Sequence, residues 1–310
     1  MSQINMGISV IVSTRNRDKS LRRLLASMEV LQQPPVGYEM IIVDNGSTDE
    51  TFHVLHQWAA QGENRKILQF ERPGKSRALN RAIREACGGL LVFLDDDVVM
   101  DSAHLRETWN YFVQNDCAAA QGVISWPPEA YSNPEVRALL ERYPVVVHVD
   151  LRNGETPSTL VGANMAVRRT TFDAVGPFHE GLGPGASGFS EDDELADRIK
   201  TSGMWIGAMR SARVVHEVDP SRLTEEGFRQ RHRWQGRSRY VYKRQPLVRV
   251  AANYVWALVN YSFASLLGSH RQLYRWKGRF CHYEEMLRLA APKLFVSSRI
   301  KRSGSPRGNT

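Results

Sequence analysis

Leu90-Leu91-Val92-Phe93-Leu94-Asp95-Asp96-Asp97 decides the fold. The five apolar residues follow Gly88-Gly89 and read as a short strand buried on both faces, the pattern of a parallel sheet covered by helices. Three carboxylates come next. Clustered carboxylates at the edge of a core are costly unless positive charge compensates them. A hard divalent cation, Mg²⁺ or Mn²⁺, takes oxygen ligands and does this economically. Held by one or two carboxylates, such a cation usually carries phosphates as well. The stretch therefore predicts a metal-diphosphate site at the carboxyl end of a parallel strand. The plainer alternative is an acidic turn that caps the next helix.

Upstream, apolar β-branched runs at residues 8–13, 39–43 and 67–70 read as strands. Between them lie helical patterns. Leu21, Leu24, Leu25 and Met28 share one face, residues 50–60 follow a cap at Thr48 or Asp49, and residues 76–86 follow Pro73-Gly74. Alternating strands and helices predict parallel βαβ units, whose ligands bind beyond the carboxyl ends of the strands. Thr14-Arg15-Asn16, Asp44-Asn45-Gly46 and Asp95-Asp96-Asp97 all fall at that edge. Their convergence favours the ligand site over the capping turn.

Downstream, residues 118–124 read as a strand broken by Trp126-Pro127-Pro128, and residues 133–142 as a helix. A strand is expected over 160–167, with small residues that allow close approach. Residues 176–188, rich in Gly and Pro, read as a flexible loop beside a site. A helix then opens at Glu191 with Ser190 as N-cap and closes at Gly203. Residues 205–208 and 214–216 look like strand ends. Glu191-Asp192 at a helix start is what the macrodipole favours. It is also where a carboxylate could take the proton from an attacking hydroxyl. His216 ends a β-branched run and could be structural or a metal ligand. Arg231, Arg233 and Trp234 offer a diphosphate clamp and a stacking ring, or else a basic helix face with a core anchor. Gly74-Lys75-Ser76-Arg77 lacks the P-loop pattern but suits an anion at a helix start.

The chain has 310 residues, 42% hydrophobic and 24% charged, an ordinary globular composition with room for one large α/β domain and an appendage. Three widely spaced cysteines, Cys87, Cys117 and Cys281, argue against a disulfide framework and fit a reducing cytosol. The N-terminus does not read as a signal peptide. Net charge is +8 and the isoelectric point about 9.5, with the excess concentrated late. Nucleic acid, anionic lipid, a phosphorylated substrate or a plain solvated face would each fit that charge.

In order along the chain, seven segments resemble the family-2 glycosyltransferases, inverting enzymes of the GT-A fold. They are Val10-Ile11-Val12-Ser13-Thr14-Arg15-Asn16, Ile42-Val43-Asp44-Asn45-Gly46-Ser47-Thr48-Asp49, Gly74-Lys75-Ser76-Arg77-Ala78-Leu79-Asn80, Phe93-Leu94-Asp95-Asp96-Asp97, Gly162-Ala163-Asn164-Met165-Ala166, Glu191-Asp192-Asp193-Glu194-Leu195 and Gln230-Arg231-His232-Arg233-Trp234. The resemblance implies an α/β fold with a Rossmann-like, mostly parallel central sheet flanked by helices and a helical C-terminal appendage. It implies Thr14, Arg15, Asn16 and Asp44 at the nucleotide, Lys75 and Arg77 near it, and Asp95 or Asp96 toward the ribose. Asp97, with Asp95 and His216, would hold Mg²⁺ or Mn²⁺. Asp192 would be the catalytic base. Asn164, Glu191, Arg231, Arg233 and Trp234 would face donor sugar, acceptor or diphosphate. The expected reaction is sugar transfer from a nucleoside-diphosphate sugar, by family habit a UDP-sugar, to a hydroxyl on a glycan or lipid-linked acceptor in cell-surface polysaccharide or glycolipid synthesis.

The expected organisation is a transferase domain over 1–237, its nucleotide-binding half about 1–110 and its acceptor half about 111–237. A helical region over 238–296 and a disordered basic tail over 297–310 follow. Residues 247–268 are apolar over nearly a bilayer's thickness but contain Arg249, Asn253 and Asn260, with basic clusters on both sides. A helix lying on an anionic membrane, a packing helix and a span are the three readings, the first placing the protein on the cytoplasmic face of the inner membrane. A sugar-phosphate nucleotidyltransferase would want a glycine- and arginine-rich loop where Ser13-Thr14-Arg15-Asn16 stands. A basic nucleic-acid-binding or scaffold protein accounts for the charge, but no nucleic-acid motif is seen, so no nucleic-acid partner is expected.

Overall fold

The computed structural model describes residues 7–152, 156–266 and 270–291. The chain divides into two compact units, Met1–Leu223 and Thr224–Thr310. The expected tail at 297–310, residues 292–296 of the expected helical region and the end of the 247–268 stretch lie outside the described residues.

The first unit runs β1 (Ile8–Thr14), α1 (Asp18–Glu29), β2 (Tyr38–Asp44), α2 (Thr51–Ala59), β3 (Arg65–Gln69), α3 (Lys75–Glu85), β4 (Leu90–Leu94), β5 (Val98–Met100), α4 (His104–Gln114), β6 (Ala119–Ser125), α5 (Pro128–Ser132), α6 (Pro134–Arg142), β7 (Asn164–Arg168), α7 (Arg169–Val175), α8 (Glu191–Thr201) and β8 (Ile206–His216). A 3-10 turn, Pro220–Arg222, follows. Among the described residues the strands form one sheet in the order β3-β2-β1-β4-β7-β6-β8-β5.

Side chains alternate across this sheet, as the two-residue period of a strand requires. Ile8, Val10 and Val12 of β1, Met40 and Ile42 of β2, and Leu90, Val92 and Leu94 of β4 pack with Leu21, Leu24, Leu25 and Met28 of α1. Ile11, Ile41, Val43, Leu91 and Phe93 point the other way, onto Ala78, Leu79, Ala82 and Ile83 of α3 and Leu195, Ala196 and Ile199 of α8. Phe93 meets Phe172 and Phe178 edge-on at 5.9 and 5.4 Å between ring centres. Burial on both faces is why β4 reads as an unbroken apolar run.

The strands β3, β2, β1 and β4 are parallel. The other half is mixed. β7 pairs antiparallel with β4 and β6, β5 pairs antiparallel with β8, and β6 pairs parallel with β8. Three local expectations change. The strand expected over 160–167 is only Asn164–Arg168, because residues 161–163 turn in front of it. The two strand ends at 205–208 and 214–216 are one continuous strand, β8, with a register irregularity opposite Gly122-Val123. Ser190 does not cap α8 with its side chain. It sits in the left-handed region at φ 73°, so its hydroxyl does not make the cap bond.

The second unit is built from α9 (Glu225–Tyr242), α10 (Leu247–Leu266) and α11 (His270–Ala290). Its start at Thr224 moves the boundary ahead of the expected 237, since α9 continues unbroken through that point. Gly236 and Gly278 let α9 and α11 approach closely. A Cβ on Gly236 would run into the backbone of His282, and one on Gly278 into the His232 ring. Burial, then nearby positive charge, lowers both His232 and His282 to about 4.

Candidate active site

Register brings the polar clusters together. Thr14 pairs with Asp44 at the end of β1 and β2, and Val12 pairs with Leu94, one residue before Asp95. β7 runs back along β4 with Asn164 opposite Leu94, so the turn that holds Gly162 lies over the same edge. β5 and β8 pair Val98 with His216, which sets Asp97 beside His216 although the two are far apart in sequence.

His216 is buried, and its Nδ1 lies 2.8 Å from the Glu217 carbonyl. Its Nε2 lies 3.3 Å from Asp97 Oδ1, so a cation at this corner would meet both atoms. One ligand atom each from Asp95, Asp97 and His216 lies within 4.8 Å of the others. That proximity is what a single shared cation would require of its protein ligands. Two carboxylates and an imidazole whose other nitrogen is fixed by a carbonyl suit Mn²⁺ or Mg²⁺. Glu217 ties this corner to α1: it accepts from Ser20 Oγ at 2.6 Å, pairs with Arg23, and its N–H donates to the Asp97 carbonyl.

Two arginines that the sequence reading passed over flank the same aspartate. Arg17 and Arg222 each stand 3.7 Å from Asp97 Oδ2. Their signal was positional. Arg17 follows the Thr14-Arg15-Asn16 cluster, and Arg222 follows the β8 strand that ends in His216.

Lys75 joins the two acidic groups. Its Nζ donates to Asp95 Oδ1 at 2.6 Å and pairs with Glu191 Oε1 at 3.1 Å. Burial works against the Lys75 charge, but Asp95 and Glu191 outweigh it and hold the ammonium well above its ordinary value. Burial would likewise raise Asp95, yet Lys75 holds that carboxyl below its usual range. Desolvation, then the Asp97 charge beside it, pushes the half-buried Asp96 carboxyl up to about 6. Asp192 Oδ2 accepts from the Gly162 N–H at 2.8 Å and Oδ1 from the Asp193 N–H at 2.9 Å. Burial, then Glu191 and Asp193, push the Asp192 carboxyl up to about 7.

The loop after α7 closes this side. Lys75 N–H donates to the Pro184 carbonyl, Ser76 Oγ to the Leu182 carbonyl at 2.8 Å, and Asn80 bonds the backbone of Phe178 in both directions. Gly185 at φ +84° lies against Gly74, where a side chain would meet backbone. The loop is thus stitched to α3 rather than hanging free.

The remaining expected residues divide. Thr14 and Asp44 are buried at the strand ends, and Arg15 and Asn16 are exposed beside them. Asn16, at φ 52°, accepts from the Thr48 N–H at 2.7 Å, and Asp44 accepts from the Ser47 N–H, so the two loops brace each other. Arg77 donates to the Pro73 carbonyl at 2.5 Å. Asn164 corrects an expectation. It is fully buried, with its amide bonded to His104 Nε2 and to the carbonyls of Val123 and Ala212, and so is turned into the sheet rather than toward a ligand. Arg231, Arg233 and Trp234 lie on α9 of the second unit, where Arg233 pairs with Glu226 and Glu284.

The description "Glycosyl transferase family 2" matches residues 9–176. Glycosyltransferase AglE of Haloferax volcanii is 25% identical over 173 residues, 55% of either chain. The poly(ribitol-phosphate) beta-N-acetylglucosaminyltransferase TarS of Staphylococcus aureus strain Mu50 is 33% identical over 106 residues, 33% of this chain and 18% of TarS. The match thus spans about half of the first relative and under a fifth of the second. Among solved structures, the mannosyltransferase PcManGT from Pyrobaculum calidifontis, in complex with GDP-Man and Mn2+, superposes with a TM-score of 0.57 at 19% identity, covering 94% of this chain and 78% of that one. S. aureus TarS 1-349 in complex with UDP gives 0.53 at 15% identity, covering 96% and 93%. The likeness to these structures is one of fold, the GT-A arrangement of a central sheet flanked by helices. With the family pattern laid over β1 through α7, and Asp95-Asp96-Asp97 at the carboxyl end of β4 inside it, the chain belongs to glycosyl transferase family 2.

Proposed function

We propose that this protein transfers a glycosyl group, with inversion, from a nucleoside-diphosphate sugar to a hydroxyl acceptor. One observation carries the reading. Lys75 bridges Asp95, which gathers with Asp97 and His216, to Glu191, the chain neighbour of Asp192, at the carboxyl edge of the sheet. Thr14, Arg15, Asn16 and Asp44 would line the nucleotide. Asp95, Asp97 and His216 would hold a Mg²⁺ or Mn²⁺ ion, which would supply positive charge for the departing diphosphate. Arg17 and Arg222 would add two guanidiniums at the same place.

In the transfer step the acceptor oxygen forms a bond to the anomeric carbon as the bond to the diphosphate oxygen breaks. The acceptor proton passes to the Asp192 carboxylate, and the electron pair leaves with the diphosphate. A carboxyl raised to about 7 is well matched to accept that proton near neutral pH. Lys75 would hold Asp95 ionised and bridge it to Glu191 until donor and cation enter. UDP-sugars are the donors of choice in this reading. GDP-sugars are the next, since the two fold neighbours were solved with UDP and with GDP-Man. The acceptor is a glycan or lipid-linked sugar of the cell surface, in line with relatives named for poly(ribitol-phosphate), O-antigen biosynthesis and beta-monoglucosyldiacylglycerol. The reading sets the reaction in the cytoplasm, at the membrane face.

The test is calorimetric titration of Mn²⁺ and UDP together with sugar transfer, each with and without chelator. Mn²⁺ should be required for tight UDP binding, and Asp97→Ala should weaken both. Transfer that survives chelator and Asp97→Ala undiminished defeats the metal assignment. Failure to bind any of the UDP-, GDP- or dTDP-sugars defeats the function itself.

A further inference from the structure

The second unit has a surface that the transfer reading does not use. α10 buries Val250, Ala257 and Ala264, spaced by seven residues, in the direction of its packing against α11. At about 100° per residue, the opposite side of that helix carries Val248, Val255, Val259, Phe263 and Leu266, with Trp256 at its border. These are exposed: Val248 by 81%, Trp256 by 61%, Phe263 by 60% and Leu266 by 83%. A contiguous apolar stripe along a helix of about 30 Å marks an interaction surface rather than scattered surface residues.

Charge names the occupant. Residues 224–310 hold eighteen Lys and Arg against four Asp and Glu, a net charge of +14, whereas residues 1–223 carry −6. No acidic residue occurs from 227 to 283. The positive charge also borders the stripe directly. Trp276 of α11 stands 6.4 Å from Trp256, with Arg275 and Arg279 over its ring at 5.8 and 5.0 Å. Arg271, Arg275 and Arg279 recur every four residues on that helix, all exposed. A second copy of the chain would bring the same positive unit against itself. No helix among the described residues is long and apolar enough to cross a membrane. An apolar face edged by tryptophan and arginine, on a helix that does not span, fits the interface of an anionic bilayer.

We infer that α10, flanked by the arginine row of α11, docks flat on an anionic phospholipid surface, with Trp256 and Phe263 entering the acyl boundary. The inference stands on the second unit alone and is measured without donor or acceptor, so it and the transfer reading can fail separately. The experiment is co-sedimentation of the full chain with vesicles of phosphatidylcholine, alone or mixed with phosphatidylglycerol, at low and high salt. Binding should require the anionic lipid and weaken with salt. Phe263→Glu with Val259→Glu should reduce binding about tenfold or more. Arg275→Gln with Arg279→Gln should reduce it by about fivefold per arginine and remove the lipid preference. Unchanged helical circular dichroism and melting show that these exposed-site variants fold. Absence of binding to anionic vesicles overturns the inference, as does binding indifferent to both pairs of substitutions. A dimer dispersed by Phe263→Glu, or oligonucleotide binding without vesicle binding, overturns it in favour of a second copy or a nucleic acid.

Discussion

A carboxyl group that burial, Glu191 and Asp193 push up to about 7 is half ionised near neutral pH, and Asp192 meets chemistry and stability with opposite needs. In the proposed transfer Asp192 must be ionised to accept a proton, so the rate should rise with pH along a limb centred near or below about 7, below if the proposed cation favours the anion. Asp192→Asn should lower transfer by about 10²- to 10⁴-fold and erase that limb. Its stability should move the other way. Between the ordinary carboxylate range and about 7 the folded state binds more protons than the unfolded one, so wild-type stability falls as pH rises through that window. At pH values above about 7, Asp192→Asn should therefore melt at or above the wild type. Lys75 is the converse case. Lys75→Met leaves Asp95 and Glu191 without their shared cation and should cost roughly 3 kcal/mol. The deficit should widen with rising pH as Asp95, no longer held low by Lys75, loses the option of protonation, read by denaturant melts at several pH values. The residue types at Asp95–Asp97, Asp192 and His216 were legible in the chain. The pairing of Lys75 with both acidic groups was not, since no periodicity relates residues 75, 95 and 191.

At the scale of elements, local pattern predicted what local physics decides. The apolar face of α1, the buried β4 run and the closing Gly203 at φ +81° all follow from spacing and backbone preference within one segment. β8 was harder to see, because Arg210, Ser211 and Arg213 interrupt its apolar pattern where the strand meets the irregularity opposite β6. The α9–α11 crossing gives a prediction of its own. His232 and His282 are held down to about 4, so between about 6.5 and 4 the unfolded state binds more protons than the folded one. Stability of the helical unit should therefore fall as pH drops through that window, seen as faster amide exchange in α9 and α11. Gly278→Val should disturb the same crossing by driving a side chain into the His232 ring, with a loss of about 1–3 kcal/mol.

Over the whole molecule, ligand linkage gives the broadest check. If donor product and cation bind the folded site alone, UDP with Mn²⁺ at about a hundred times its dissociation constant should add about 2.7 kcal/mol to unfolding. Protection from exchange should concentrate in the loops after β1, β2 and β4. The sequence by itself determined the parallel strands β1 to β4, the run of acidic residues at the end of β4 and the concentration of basic charge after residue 223, because apolar period, turn residues and charge are properties of contiguous segments. Only the tertiary structure decided that Asn164 turns into the sheet, that Arg17 and Arg222 flank Asp97, and that one side of α10 lacks a packing partner among the described residues. Those outcomes depend on strand order, on antiparallel register and on which helix covers which face. Such contacts join residues distant along the chain, and no single stretch of it encodes them.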